Sequence, residues 1–115
     1  MSVVIYHNPR CSKSRQGLQF LRDQGVEPEI VTYLDSPPDK KELARILDLL
    51  GLEPRLAMRT KESEYKENDL GNDALSREEL IEAMVKHPRL IERPIVVSGK
   101  KAVIGRPTEK ILEVL

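Results

Sequence analysis

The 115-residue chain carries 19 Lys plus Arg, 19 Asp plus Glu and a single cysteine. That length supports one domain, residues 1–115, with one core and no room for a second. The even charge balance excludes a global field that would gather nucleic acid or an anionic membrane. The opening MSVVIYHNP lacks a basic leader and a long apolar region, and no segment approaches the roughly 20 apolar residues of a membrane span. One unpaired thiol suits a reducing compartment, so a soluble, cytoplasmic protein is expected.

Val3, Val4, Ile5 and Tyr6 form a short β-rich run that Pro9 ends, which reads as a buried strand. From Ser12, Leu18, Phe20 and Leu21 lie at helical spacing and Gly25 supplies a stop, predicting a helix from about Ser12 to Gln24 with Cys11 at its N-terminus. Ile30, Val31 and Tyr33 predict a second strand. Ser36, Pro37 and Asp39 then start a helix carrying Leu43, Ile46, Leu47 and Leu50. Strands joined through a helix pair in parallel, so the first two belong to one sheet. The polar stretch from Glu53 to Leu75 predicts short helices with weak boundaries. Ser76 and Glu79 form a capping box for a helix that continues through Leu80, Ile81, Met84 and Val85 to Pro88. RPIVVSGKKAVIGRP reads as an antiparallel hairpin around Gly99 and Lys100, and a final helix carries Ile111, Leu112 and Leu115. The plan is α/β: βαβ, a helical insert, then ββα, giving a four-stranded mixed sheet with helices on its faces.

The hairpin makes an arginine pair geometric. With Gly99 and Lys100 as turn residues, paired positions sum to 199, and Arg93 falls opposite Arg106. Direct cross-strand neighbours have Cβ atoms about 5 Å apart, so these like charges repel unless an anion lies between them. Each arginine precedes a proline, which holds its backbone extended. A register slip of one residue would put the side chains on opposite faces, leaving two solvated arginines at strand ends.

Cys11 is flanked by Asn8, Pro9 and Arg10 on one side and Ser12, Lys13 and Ser14 on the other, poor surroundings for a core cysteine. At a helix N-terminus with cationic neighbours, a thiol pKa falls by several units from about 8.5, and the same unpaired N–H groups bind anions. Thiolate and substrate anion would share one positive pocket, for which Arg10, Arg15, Arg93 and Arg106 are candidate cations. His7, four residues before Cys11, is placed to favour the thiolate as a cation or to move a proton, or else to sit as a satisfied strand-end histidine. His87 reads as a surface group. One cysteine and two distant histidines give no metal-ligand spacing, so no metal is expected. Ser14 stands where a dithiol oxidoreductase has its second cysteine, which excludes internal disulfide cycling. Arg15 follows Cys11 too closely for a phosphatase loop.

YHNPRCSKSR, the later LAMR ending at Arg59, ERPIVV and IGRP together closely resemble the glutaredoxin-dependent arsenate reductase family, which has Spx-like relatives. The resemblance spans nearly the whole chain and implies a thioredoxin-like fold with a helical insertion. It implies Cys11 as nucleophile, and Arg59, Arg93 and Arg106 as the arginines that hold the oxyanion and its thiolated intermediate. Spacing alone does not single out Arg59 from Arg55 and Lys61. The resemblance also implies that His7 supports the thiolate, that Ser14 and Arg15 complete the loop around Cys11, and that Pro94 occupies the cis-proline position facing the cysteine. The implied reaction is attack of Cys11 on arsenate, followed by glutathione and glutaredoxin, releasing arsenite. No bound cofactor is expected, with glutathione as co-substrate. The chain ends at Leu115, closer to the short chromosomal relatives than to plasmid-encoded ones with a longer tail.

Two other functions fit parts of the sequence. A glutathione-dependent thiol oxidoreductase would use the pocket for a glutathione carboxylate, although three arginines suit a tetrahedral anion better. A non-enzymatic regulator similar to the Spx family would bind RNA polymerase, but Ser14 removes the second cysteine that serves those proteins as a redox switch. Without a sustained heptad pattern, a monomer is expected.

Overall fold

The computed structural model describes residues 2–115, and its chain divides into two compact units. The first joins the N-terminal segment through Ser36 with Arg93–Leu115, and the second is Pro37–Glu92.

In the first unit, β1 (Val3–Tyr6) pairs in parallel with β2 (Glu29–Val31) and antiparallel with β3 (Ile95–Ser98), which pairs antiparallel with β4 (Lys101–Ile104). The sheet order is β2-β1-β3-β4, the mixed four-stranded sheet that the sequence pattern predicts. β3 and β4 meet as Ile95 with Ile104 and Ser98 with Lys101, so the register is the expected one. Gly99 takes φ 60° at the turn, a left-handed conformation cheap only without a Cβ. Val3, Ile5, Val96 and Val103 share one sheet face and pack with Leu21 of α1 (Ser12–Asp23) and with Ile111 and Val114. Ile5, Leu21, Val96 and Ile111 are fully buried, each stabilising the fold by about 1.5–3 kcal/mol.

Two elements differ from expectation. Tyr33 lies beyond β2 yet is buried, whereas Ile30, on this edge strand, is 39% exposed. The final helix is a 3-10 helix, Thr108–Val114. Its three-residue turn aligns Ile111 with Val114 and turns Leu112 and Leu115 outward, so the apolar face shifts by one residue.

The second unit is helical. α2 (Lys40–Leu50) starts at Asp39, whose carboxylate accepts from the Glu42 N–H at 2.8 Å, and stops at Gly51 with φ 69°. A 3-10 helix (Pro54–Ala57) and α3 (Ser63–Glu67) follow, then α4 (Arg77–Lys86) behind the complete Ser76–Glu79 capping box. No helix among the described residues is long and apolar enough to cross a membrane.

Candidate active site

β1 delivers the chain into a tight turn at the head of α1. The Cys11 N–H donates to the Asn8 carbonyl at 3.0 Å, and the Arg10 N–H donates to Asn8 Oδ1 at 3.0 Å. Arg15 Nη1 donates to the Pro9 carbonyl at 2.9 Å and ties the turn to the helix. Cys11 is the extended N-cap of α1, partly buried, with no acidic residue in the first helical turn. Burial alone would raise its pKa. The opposing influences outweigh it: the Ser14 N–H, the Arg93 side chain by hydrogen bond and charge, and the Lys13 N–H hold the thiol below its ordinary value.

The hairpin supplies the cations. Beyond the last ladder pair, the Gly105 N–H donates to the Pro94 carbonyl at 2.8 Å, so pairing continues toward the arginines. Arg106 Nε donates to the Arg93 carbonyl at 2.8 Å, and its Nη2 lies 3.8 Å from Cys11 Sγ. Arg93 and Arg106 thus meet at the sulfur. Both Arg93–Pro94 and Arg106–Pro107 peptide bonds are cis.

His7 is buried and connects to Cys11 indirectly. Its Nδ1 lies 2.7 Å from Ser14 Oγ, which also accepts the Asn8 N–H at 2.9 Å. Burial, then the charges of Arg15 and Arg22, lower the His7 pKa, with a main-chain hydrogen bond of Ser14 opposing. This environment favours a neutral imidazole rather than a cation. Ser14 therefore joins three parts of the loop, its N–H on the sulfur and its hydroxyl between His7 and Asn8.

Sequence reasoning passed over Gly17. A Cβ there would lie 2.8 Å from Pro94 Cγ, and one at Gly105 would lie 3.1 Å from the same atom. These two glycines leave the space that the Pro94 ring occupies, and the mid-helix glycine was the available signal.

Arg59 belongs to the second unit. Met58 bridges Ile91, and the Arg59 N–H donates to the Leu90 carbonyl at 2.7 Å, which fixes the root of the side chain. Its Nη2 lies 2.8 Å from Glu62 Oε1. Arg55, the basic neighbour that spacing could not separate from it, instead donates to the carbonyls of Leu70 and Asn72 at 2.9 and 2.7 Å. Among the described residues no group of three or more His, Cys, Asp or Glu is arranged to hold a metal.

The ArsC family model matches residues 6–114, which covers the cysteine loop, all three arginines and the final helix. The chain belongs to the ArsC family. YfgD of Escherichia coli K12, described as an uncharacterized protein, is 54% identical over 98% of this chain and 96% of its own. A Haemophilus influenzae protein named arsenate reductase is 50% identical, with both chains covered in full. The solved structure of arsenate reductase from Vibrio cholerae superposes with a TM-score of 0.98 at 53% identity, covering 100% of this chain and 98% of that one. The ArsC fold here is the thioredoxin-like α/β arrangement, with the helical insert between its βαβ and ββα parts.

Proposed function

We propose that this ArsC-family protein is an arsenate reductase that uses Cys11 as its nucleophile and external thiols as its reductant. The observation that carries this reading is the meeting of Arg93 and Arg106 at a sulfur whose pKa is lowered. A thiolate and an arsenate oxyanion repel each other, and two guanidiniums at the sulfur offset that repulsion for both. Relatives of similar length and about half-identical sequence carry the name arsenate reductase, which supports the same substrate.

The Cys11 thiolate attacks arsenic, an arsenate hydroxyl takes a proton from solvent and leaves as water, and a cysteine–arsenic(V) bond forms. Arg93 and Arg106, together with Arg59 by its match to the family motif, hold the remaining oxygens as their charge develops. The Ser14 and Lys13 N–H groups, released from the sulfur as it forms the new bond, remain directed at the same position. Arg15 keeps the turn closed, Pro94 lines the hairpin side, and neutral His7 orients Ser14. Glutathione then attacks, and glutaredoxin resolves the intermediate. The two electrons that take arsenic from +5 to +3 come from these external thiols, which leave as a mixed disulfide, and arsenite is released. Neither a metal nor a bound cofactor has a role in these steps. A monomer in the cytoplasm, where both thiols are reduced, fits the chemistry.

The test is arsenite formation from arsenate with glutathione and glutaredoxin, comparing the parent with Cys11→Ser. Activity in the parent that disappears in the variant is expected. A folded parent that transfers thiols but forms no arsenite would instead favour the glutathione-dependent oxidoreductase.

A further inference from the structure

Arg59 is held by a carboxylate that a second arginine shares. Glu62 Oε1 lies 2.8 Å from Arg59 Nη2, while its Oε2 lies 3.2 Å from Arg89 Nη2. The Glu62 side chain is only 15% exposed, and Arg89 is 61% exposed. The backbone brings these groups together from two directions. The Glu62 N–H donates to the Arg59 carbonyl at 3.1 Å, closing a turn, and the Met58–Ile91 bridge sets Arg59 beside the Arg89–Leu90 segment. The roots of all three side chains are therefore fixed.

An arginine has five N–H donors in a planar fork. The ion pair through Nη2 holds one edge of the Arg59 guanidinium and leaves its other donors for a second anion. Arg89 Nη1 also lies 3.7 Å from Glu64 Oε2, so the two arginines and two carboxylates balance in charge, and what Glu62 gives Arg59 is position rather than added positive potential.

We propose that Glu62 is a positioning residue for arsenate binding: it positions the Arg59 guanidinium for the oxyanion, and Arg89 holds Glu62 in place through its other carboxylate oxygen. This rests on Arg59 being an oxyanion ligand, as proposed above. If Glu62 were instead a competitor that arsenate must displace, removing it would tighten arsenate binding, the opposite sign.

The experiment measures arsenate two ways, by steady-state reduction at saturating glutathione and glutaredoxin and by protection of Cys11 against iodoacetamide. The second readout works without turnover. Glu62→Ala is expected to raise the arsenate KM and the protective concentration several-fold, about the scale of losing one partly exposed ion pair, with kcat within about twofold. Glu62→Gln keeps an oxygen acceptor of the same length and should recover part of that loss, a rescue that a merely structural role would not produce. Arg59→Ala serves as reference. If it weakens arsenate binding while both Glu62 variants leave binding unchanged or tighten it, the positioning role is overturned and the Arg59 assignment stands. If Arg59→Ala has no effect on either readout, the assignment beneath falls, and this proposal with it.

Discussion

The arginines of the two units are used differently. In the helical insert, Arg55, Arg59, Arg77 and Arg89 each lie against a carboxylate, from Glu53, Glu62, Asp48 and the Glu62–Glu64 pair. In the sheet unit, Arg15 donates to a backbone carbonyl, Arg106 reaches the sulfur of Cys11, and Arg93 hydrogen-bonds the same sulfur. Arg22 is the exception, paired with Glu27 at the far end of α1 from the cysteine. A surface arginine paired with a carboxylate contributes about 0–1 kcal/mol and fastens local structure. One aimed at a thiol keeps its positive potential for an incoming anion. Arg59 crosses this division, because it is paired like a structural arginine yet is proposed above as an oxyanion ligand.

The largest effect that sharpens this contrast is expected from Arg93→Ala. Arg93 lowers the Cys11 pKa through both a hydrogen bond and its charge, against the burial that raises it. Without it the thiol pKa rises, so at a fixed neutral pH less of Cys11 is thiolate. The pH profile of iodoacetamide alkylation should move to higher pH. Arsenate reduction should fall by about 10²–10³, the scale for removing one donor to a developing oxyanion. An unmoved alkylation profile would show that Arg93 does not act on the thiol.

A smaller, mostly structural effect is expected from Ser14→Ala. The N–H that supports the thiolate is main-chain and survives, so the alkylation profile should shift little. The hydroxyl between buried His7 and the Asn8 N–H is lost, leaving polar groups unsatisfied at a cost of about 1–3 kcal/mol. Denaturant melts should show that loss. The Ser14 main-chain hydrogen bond that raises the His7 pKa survives the substitution, so an NMR titration of the imidazole should shift little. Full stability in the variant would mean that water replaces the hydroxyl without penalty.

What was legible in the sequence follows how locally each feature is determined. The hairpin register depends on one turn and on alternation, and the 199 sum places Arg93 and Arg106 at one end as the ladder confirms. The Ser12–Asp23 helix has a strong start and a glycine stop, so Cys11 could be placed at its N-terminus within a residue. The Thr108–Val114 segment failed because its apolar residues fit either helical period, and only packing against the sheet selects the tighter turn. Arg59 was invisible for a different reason. Its neighbours in sequence are equally basic, and what separates it from Arg55 is which carbonyls and carboxylates lie around each, long-range facts that spacing does not encode.

The smallest effect would test whether the insert's stability can be altered without touching the thiol. Ser76 Oγ accepts the Glu79 N–H at 3.2 Å while Glu79 Oε1 accepts the Ser76 N–H at 3.0 Å, so each satisfies a donor at the exposed start of α4. Ser76→Ala removes one of these bonds, and the usual cost of losing such a cap is about 1 kcal/mol. Thermal melting should fall by several degrees, on the order of 4–8 °C per kcal/mol for a domain near this size. The alkylation rate of Cys11 at neutral pH should not change, because the hydrogen bonds and the charge that lower its pKa come from Ser14, Lys13 and Arg93 of the sheet unit. A parallel fall in alkylation would mean that the insert's folding is coupled to the cysteine loop, and the division between fastening and anion-binding arginines would then have to be drawn across the whole chain.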